Sequence, residues 1–428
     1  MERKLKKIPK HFQEILKVAS RIAARSGFKI YLVGGVVRDL ILGKAIFDLD
    51  IVVEPDAIGF AQTLAQHFKT KFRRHHTFGT ATVYFGKYKI DFATARKEHY
   101  PHWGALPKVS PVTLKEDLFR RDFTINAMAL SLNKKDYGQI IDFYNGLTDL
   151  RKGLIRILHP DSFLEDPTRI LRAIRFEQRF SFKIEKNTYN LMKEALKVGA
   201  IRFVHAHRLR DEIILILKEP QPYRYIKRLD KLTKLSFIDD RLRLNLATYQ
   251  LLARVKKAIT SYKKRFKKHR KLDEWLLYLA AVVINLGQER IVKFLQRFDL
   301  RKGEKIRILS IKENLKKVKR IGKKTTPYVV YQFLNPLSFE AIVFFYAYYN
   351  QKMIKKNIEL FFDELAKVRL KTKGGDLSKL GIKPGTIYTR VFEKLLKAKL
   401  NKGLKTKQEE LKEAAKIFQR ATKKEPGL

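Results

Sequence analysis

The sequence predicts an α+β protein: a mixed α/β N-terminal region to about residue 158, followed by helices to the C-terminus. Three observations carry this. As far as Leu158, short apolar or alternating runs are punctuated by glycine turns. Beyond Asp161 strand signals largely vanish and apolar residues recur at helical spacing. The 428 residues, 45% of them hydrophobic, suffice for roughly two to four domains with well-buried cores.

The elements follow in order. Phe12, Ile15, Leu16, Ala19 and Ile22 stand at helical spacing within the first 30 residues. Lys29 to Val33 is a short apolar strand ended by Gly34-Gly35, and Val36 to Leu42 resumes a helical pattern that stops at Gly43. Phe47 to Val53 alternates apolar and acidic residues, as a strand with one carboxylate-bearing face does. Thr80 to Phe85 and Tyr88 to Ala93 form a hairpin around Gly86-Lys87. Pro167 stands where a helix begins, continued by Thr168 to Arg179. Trp275 to Gly287, the longest uncharged apolar run, is shorter than the ~20 residues a bilayer span requires and is expected to be a buried helix. Lys256 to Lys271 is dense in Lys and Arg, a solvated helix face or a phosphate track, and a Lys/Glu-rich helix from about Lys405 closes the chain.

Charge narrows the function. Lys plus Arg total 92 against 43 acidic residues, a net charge of +49. A Lys-rich composition contributes to such an excess. Its spread along the whole chain nevertheless favours a polyanionic partner and a long phosphate-contacting surface. The absence of cysteine excludes disulfides and thiolate sites and fits an intracellular, cytoplasmic chain. Met1 to Lys7 is charged with no apolar core behind it, unlike a secretory signal. No membrane partner is expected.

The sharpest local pattern is Gly34-Gly35 with Arg38-Asp39, followed by Asp48-Leu49-Asp50. Residues i and i+2 of a strand share a face, so Asp48 and Asp50 present two carboxylates side by side. That arrangement is repulsive unless a divalent cation lies between them. Mg²⁺ suits it, because it binds through one or two carboxylates plus substrate phosphates. Asp91, in Ile90-Asp91-Phe92, is placed to add a third carboxylate from a second strand. Two metals across three carboxylates activate an attacking 3′-hydroxyl and stabilise a leaving pyrophosphate. Gly34 and Gly35 let backbone N–H groups approach a triphosphate, and Arg38 is within reach to offer a bidentate fork. A lone Gly-Gly or Asp-x-Asp is most often a surface turn or cap; their ordered combination on strand, turn, helix and strand is far more specific.

These residues resemble the DNA polymerase β-like nucleotidyltransferase superfamily, and more closely the class II tRNA nucleotidyltransferases and bacterial poly(A) polymerases. Val33 to Gly43 with Asp48-Leu49-Asp50 is similar to that family's first motif. The likeness continues through Arg120-Arg121-Asp122-Phe123-Thr124-Ile125-Asn126-Ala127, Asp149-Leu150, Gly153 to Arg156, and Glu165-Asp166-Pro167-Thr168-Arg169 to Phe176. It covers about the first half of the chain. The second half matches in being helical and basic, apart from Gly375-Asp376-Leu377.

The resemblance implies a catalytic polymerase β-like head (1–158), a helical neck for the incoming nucleotide (159–218), a helical body (219–345) and a helical tail (346–428) holding the tRNA acceptor and TΨC arm. It makes Asp48 and Asp50 metal ligands, joined by Asp91 in catalysis. It places Arg121, Asp122 and Asn126 at the ribose and phosphates, and Asp166 and Arg169 at the base with Arg172 assisting. Chemistry supports the last pair. A carboxylate accepts from the exocyclic amine of adenine or cytosine while a guanidinium donates to the adjacent ring nitrogen. Guanine and uracil would leave both groups unpaired, at ~1–3 kcal/mol each. A capping Asp with a surface ion pair is the structural alternative at this position. Glu98, Tyr100 and the Gly104 stretch to Pro111 resemble the family's flexible loop, which switches specificity from CTP to ATP. Its apparent full length disfavours a CC-only enzyme. Arg208 and Glu212 resemble the last neck motif, or form an ordinary i, i+4 helix pair. His75 and His76, adjacent in a predicted strand, point to opposite faces and are not expected to share a metal.

The expected activity is therefore template-independent addition of A or CCA to tRNA 3′ ends from ATP, with or without CTP. CC addition, poly(A) synthesis and an inactive RNA-binding protein are the alternatives; a repulsive Asp48/Asp50 pair facing an anionic ligand argues against the last. A chain starting at Met1 with every head motif is expected to hold the whole catalytic unit, and the oligomeric state stays open.

Overall fold

The computed structural model describes Leu5 and residues 8–46, 48–266, 270–382 and 384–422. Phe47, most of the charged stretch from Met1 to Lys7, residues 267–269 of the basic run and residues 423–428 lie outside the described residues. The chain divides into two compact units, Met1–Thr233 and Lys234–Leu428.

The first unit is built on a mixed sheet. Its strands are β1 (Lys29–Val33), β2 (Leu49–Glu54), β3 (Phe72–His75), β4 (Thr80–Phe85), β5 (Tyr88–Thr94), and, after a separate hairpin of β6 (Arg96–His99) and β7 (Lys108–Pro111), β8 (Ala129–Ser131) and β9 (Ile140–Ile141). Their order is β3-β4-β5-β2-β1-β8-β9. The Gly86-Lys87 turn joins β4 and β5 antiparallel, as its sequence predicts, with Gly86 at φ +61°. β2 and β5 instead run parallel, with Asp50 directly opposite Asp91. This central pairing is non-local, so no short-range pattern announces its register.

Helix Lys10–Ser26 buries Phe12, Ile15, Leu16, Ala19 and Ala23 and ends on Gly27 at φ +74°. Helix Ala57–His67 starts where the Asp56 carboxylate accepts from the N–H groups of Ile58 and Gly59, and it packs on β4 and β5. Helix Thr168–Phe180 begins one residue after Pro167 and packs against helices Ala206–Leu217 and Pro222–Thr233. Asp166 therefore precedes the helix (φ −133°, ψ 88°) and shares no helical face with Arg169.

The second unit is helical throughout its described elements. Glu274–Val283 buries every residue from Trp275 to Val283, the buried helix expected from its composition. The basic run ends its helix at Arg265, with Ala258, Ile259 and Tyr262 on the buried side. Leu377, Ile382, Val391, Leu395 and Ala414 form a small core beneath the last described helix, Lys407–Thr422. Among the described residues no single helix is long and apolar enough to cross a membrane; the adjacent pair Pro327–Leu334 and Phe339–Tyr348 reaches that length only together, bent by 116°.

Candidate active site

The predicted site residues converge. Within the first unit a cleft of about 870 Å³ is lined by Gly34, Gly35, Arg38, Asp48, Asp50, Arg121, Asp122, Asn126, Asp166, Arg169 and Arg172. Asp91 does not line it.

The sheet supplies the mouth. β1 ends on Gly34, whose φ of +72° turns the chain into helix Gly35–Ile41. A Cβ at Gly34 would stand 3.0 Å from Arg121 Nη1, so this close approach needs glycine. Asp48 immediately precedes β2 and Asp50 is its second residue; both are exposed to the cleft. The cleft walls still desolvate Asp50 enough to raise its pKa. Asp91 and Asp48 push it further up, and Arg121 opposes them. Asp91 is taken up differently: its carboxylate accepts from Thr82 Oγ1 at 2.6 Å and Lys89 Nζ at 2.7 Å. No group of three or more His, Cys, Asp or Glu stands ready for a metal among the described residues. The donor set is thus a carboxylate pair, one member of which resists its own charge. That fits a hard cation bound through two carboxylates and substrate phosphates. His75 lies in β3 and His76 in the following 3-10 turn, both exposed, outside any such group.

A buried polar chain forms the inner wall. Arg38 donates to Asn126 Oδ1 at 2.6 Å, and Asn126 donates to Asp122 Oδ1 at 2.9 Å. Arg172 grips Asp122 Oδ2 through Nη2 at 2.6 Å and Nε at 2.9 Å. Burial alone would raise the Asp122 pKa, but Arg172 and the Asn126 hydrogen bond hold it at about 2. The Arg38 fork is not free for a phosphate as expected. It is spent on Asp39 (3.0 and 3.1 Å), and the guanidinium lies over Phe180 at 4.7 Å. Arg121 is the better placed cation. Its Nη2 donates to Asp117 at 2.8 Å, while its buried Nε has no partner among the described residues.

Asp166 and Arg169 both reach the cleft without bonding each other. Asp166 Oδ1 caps the helix through Thr168 N and Oγ1, and Oδ2 accepts from Arg208 Nη2 at 2.7 Å. Arg169 donates to Ser162 Oγ at 2.6 Å and to the Arg120 carbonyl at 2.7 Å. The i, i+4 pair read for Arg208 and Glu212 does not form. Each reaches across to another element instead, Arg208 to Asp166 and Glu212 to Arg172 (2.9 Å) and Arg175 (3.3 Å).

Sequence reasoning missed Arg175, Phe176 and Arg179, and also Arg120, Thr168, Asp211 and Leu215, which share the lining. A signal existed for the first three. Arg169, Arg172, Phe176 and Arg179 recur every three or four residues along Thr168–Phe180, with Arg175 three on from Arg172, so one helix stripe faces the cleft. Glu98 and Tyr100, read only as loop residues, also line it, bonded to each other at 2.7 Å.

Comparison with known proteins agrees with this geometry. The Poly A polymerase head domain family matches residues 30–156, and the Probable RNA and SrmB- binding site of polymerase A matches residues 181–238. The A-adding tRNA nucleotidyltransferase of Aquifex aeolicus is 40% identical over 85% of this chain and 44% of its own length. That of Geobacter sulfurreducens is 34% identical over 96% and 47%, so the chain spans about half the length of these relatives. That of Halalkalibacterium halodurans is 30% identical over 95% of this chain and 92% of its own. Among solved structures, the Thermotoga maritima CCA-adding enzyme complexed with tRNA superposes with a TM-score of 0.76 at 32% identity, over 97% of this chain and 98% of that one. The chain belongs to the tRNA nucleotidyltransferase and poly(A) polymerase family.

Proposed function

We propose that this protein transfers AMP from ATP to the 3′-hydroxyl of a tRNA ending in CC, releasing pyrophosphate, as a cytoplasmic A-adding enzyme. The observation that carries the proposal is the convergence of the Asp48/Asp50 pair, the Gly34 turn and the buried Asp122–Arg172 and Asp166–Arg208 pairs on one cleft. The names of the Aquifex, Geobacter and Halalkalibacterium relatives favour A over CC addition.

Asp48 and Asp50 would hold Mg²⁺, with Asp91 joining if Lys89 released it; the ion would supply charge stabilisation for the attacking hydroxyl and the leaving pyrophosphate. Arg121 and the Gly34-Gly35 backbone take the triphosphate, and Asp122 with Asn126 orients the ribose from a rigid, ionised wall. Asp166 accepts from the adenine amine while Arg169 donates to the neighbouring ring nitrogen. Their present partners keep both side chains oriented toward the cleft before a base arrives. Residues 1–158 act as head, 159–218 as neck, and 219–345 and 346–428 as the body and tail that grip the acceptor and TΨC arm.

The test is incorporation of labelled ATP and CTP, separately and together, into tRNA transcripts ending before CCA, after C and after CC. A single A on the CC-ended transcript alone is expected. Full CCA addition, a halt after CC, or long A tails each replace the proposal with the corresponding enzyme. Asp48→Ala is expected to reduce incorporation to background with tRNA affinity unchanged or slightly higher, because a repulsive carboxylate is removed. A mutant that still polymerises would remove Asp48 from the metal site.

A further inference from the structure

Beyond the cleft lining, where the loop that holds Tyr100 and Gly104 meets the Phe203 segment, stands an aromatic pair to which the proposed function gives no part. Trp103 is 42% exposed and Phe203 is 56% exposed, and their rings meet edge to face at 5.9 Å and 82°. Neither lines the cleft. The pair is built in rather than adrift. Gly104, at φ +69°, has no room for a Cβ, which would fall 2.8 Å from the Phe203 carbonyl carbon and oxygen and 2.9 Å from Val204 N. The Trp103 loop therefore lies backbone to backbone against the Phe203 segment. Gly104 N also donates to the Glu165 carbonyl at 3.3 Å. Arg208 Nη1 stands 3.5 Å from the carbonyls of Gly104 and Ala105, while its Nη2 holds Asp166. One guanidinium thus fastens the aromatic rim to a carboxylate of the cleft.

The surroundings favour a polyanion. Residues 99–108 and 199–208 include no Asp or Glu, and Arg202 beside Phe203 and His102 beside Trp103 are exposed. Exposed aromatic rings beside a cation, here Arg202, are how proteins hold single-stranded nucleic acid. We propose that Trp103 and Phe203 form a stacking platform for the unpaired 3′ end of the RNA whose terminal hydroxyl is extended in the cleft. The platform takes the primer and not the incoming nucleotide, because neither ring faces the cleft where that nucleotide would lie. The proposal rests on the function inferred above, and it is tested by binding, which needs no turnover.

The chain has two tryptophans, and the other, Trp275, is 5% exposed. Both indoles emit, but only Trp103 is open to contact quenching by a bound base, so a ligand-induced loss of emission reports on Trp103. A tRNA ending in CC is expected to quench it. The same tRNA cut back to its acceptor duplex, ATP alone, and CC-ended tRNA added to the Trp103→Phe variant are expected not to. Equal quenching by the trimmed tRNA, quenching by ATP alone, or no quenching where filter binding shows saturation would each overturn the platform. Kinetically, Trp103→Ala and Phe203→Ala should each raise the KM for tRNA about tenfold, the scale of one lost base stack, and leave the KM for ATP unchanged. Trp103→Phe should restore it, and an unchanged tRNA KM in Trp103→Ala refutes the stack. If the wild-type chain quenches on the CC end yet incorporates nothing, the enzymatic function fails and the platform stands. Incorporation without quenching leaves the enzymatic function standing and overturns the platform.

Discussion

Asp122 and His159 illustrate how burial is resolved in opposite ways by single side chains. Asp122 stays ionised because Arg172 and Asn126 supply what water would. Its stabilising contribution is present above the ordinary carboxylate range and is lost only as the pH falls toward about 2. His159 is kept neutral instead. Burial first, then the nearby Arg169, lowers its pKa from 6.5 to about 4, although Glu165 approaches at 3.4 Å. Between those values the unfolded chain binds a proton that the folded chain refuses, so stability falls as the pH drops from 6.5 toward 4. His159→Asn should lose less stability than the wild type between pH 7.5 and about 5.5 (about one unit either side of the unfolded histidine pKa), measured as the shift in urea midpoint. An equal shift in both proteins would show that His159 titrates normally. For base selection, Asp166→Ala should relax discrimination against GTP and UTP by at least about tenfold, the low end for one hydrogen bond to a charged group. The KM for ATP should rise less than that ratio changes. Selectivity that stays the same would remove Asp166 from base reading.

Between elements, Glu212 is the fastening that joins the two helices behind the cleft. It stands on Ala206–Leu217 and accepts from Arg172 and Arg175 of Thr168–Phe180 while only 8% exposed. Burial opposes the charge on Arg172, and Asp122 and Glu212 together restore it. Removing one partner of such a buried set leaves uncompensated charge. Glu212→Ala is expected to cost about 3 kcal/mol, the low end for a broken buried pair because Asp122 still holds Arg172. Chemical denaturation checks this, and a loss under about 1 kcal/mol would place the pair in the class of surface bridges. The same network explains why Arg208 and Glu212 are not an i, i+4 pair. Glu212 is turned toward Arg172 and Arg175 on the neighbouring helix, and Arg208 reaches Asp166 instead.

For the chain as a whole, the net charge of +49 sets the mode of association. Affinity for tRNA should fall steeply with salt, with log K dropping by roughly 0.7–0.9 per decade of salt for each phosphate contacted. Fluorescence anisotropy across a salt series measures the slope, and a flat profile would contradict phosphate-dominated binding.

Much of the architecture is legible in the chain because it is local. Gly34-Gly35, the Gly86-Lys87 hairpin, the apolar periodicity of Lys10–Ser26 and the buried Trp275 run act over a few residues, where φ/ψ preference and burial decide the outcome. The composition of the cleft is legible too, since its Asp, Arg and Asn residues stand in ordered motifs. Which partner each charge takes is not. Asp166 goes to Arg208, Glu212 to Arg172 and Arg38 Nη1 to Asn126, because those choices depend on how Ala206–Leu217 crosses Thr168–Phe180 and on how helix Gly35–Ile41 packs against the Asn126 turn. Ion-pair energies vary with distance and local dielectric, and both are properties of the packed molecule rather than of spacing along the chain.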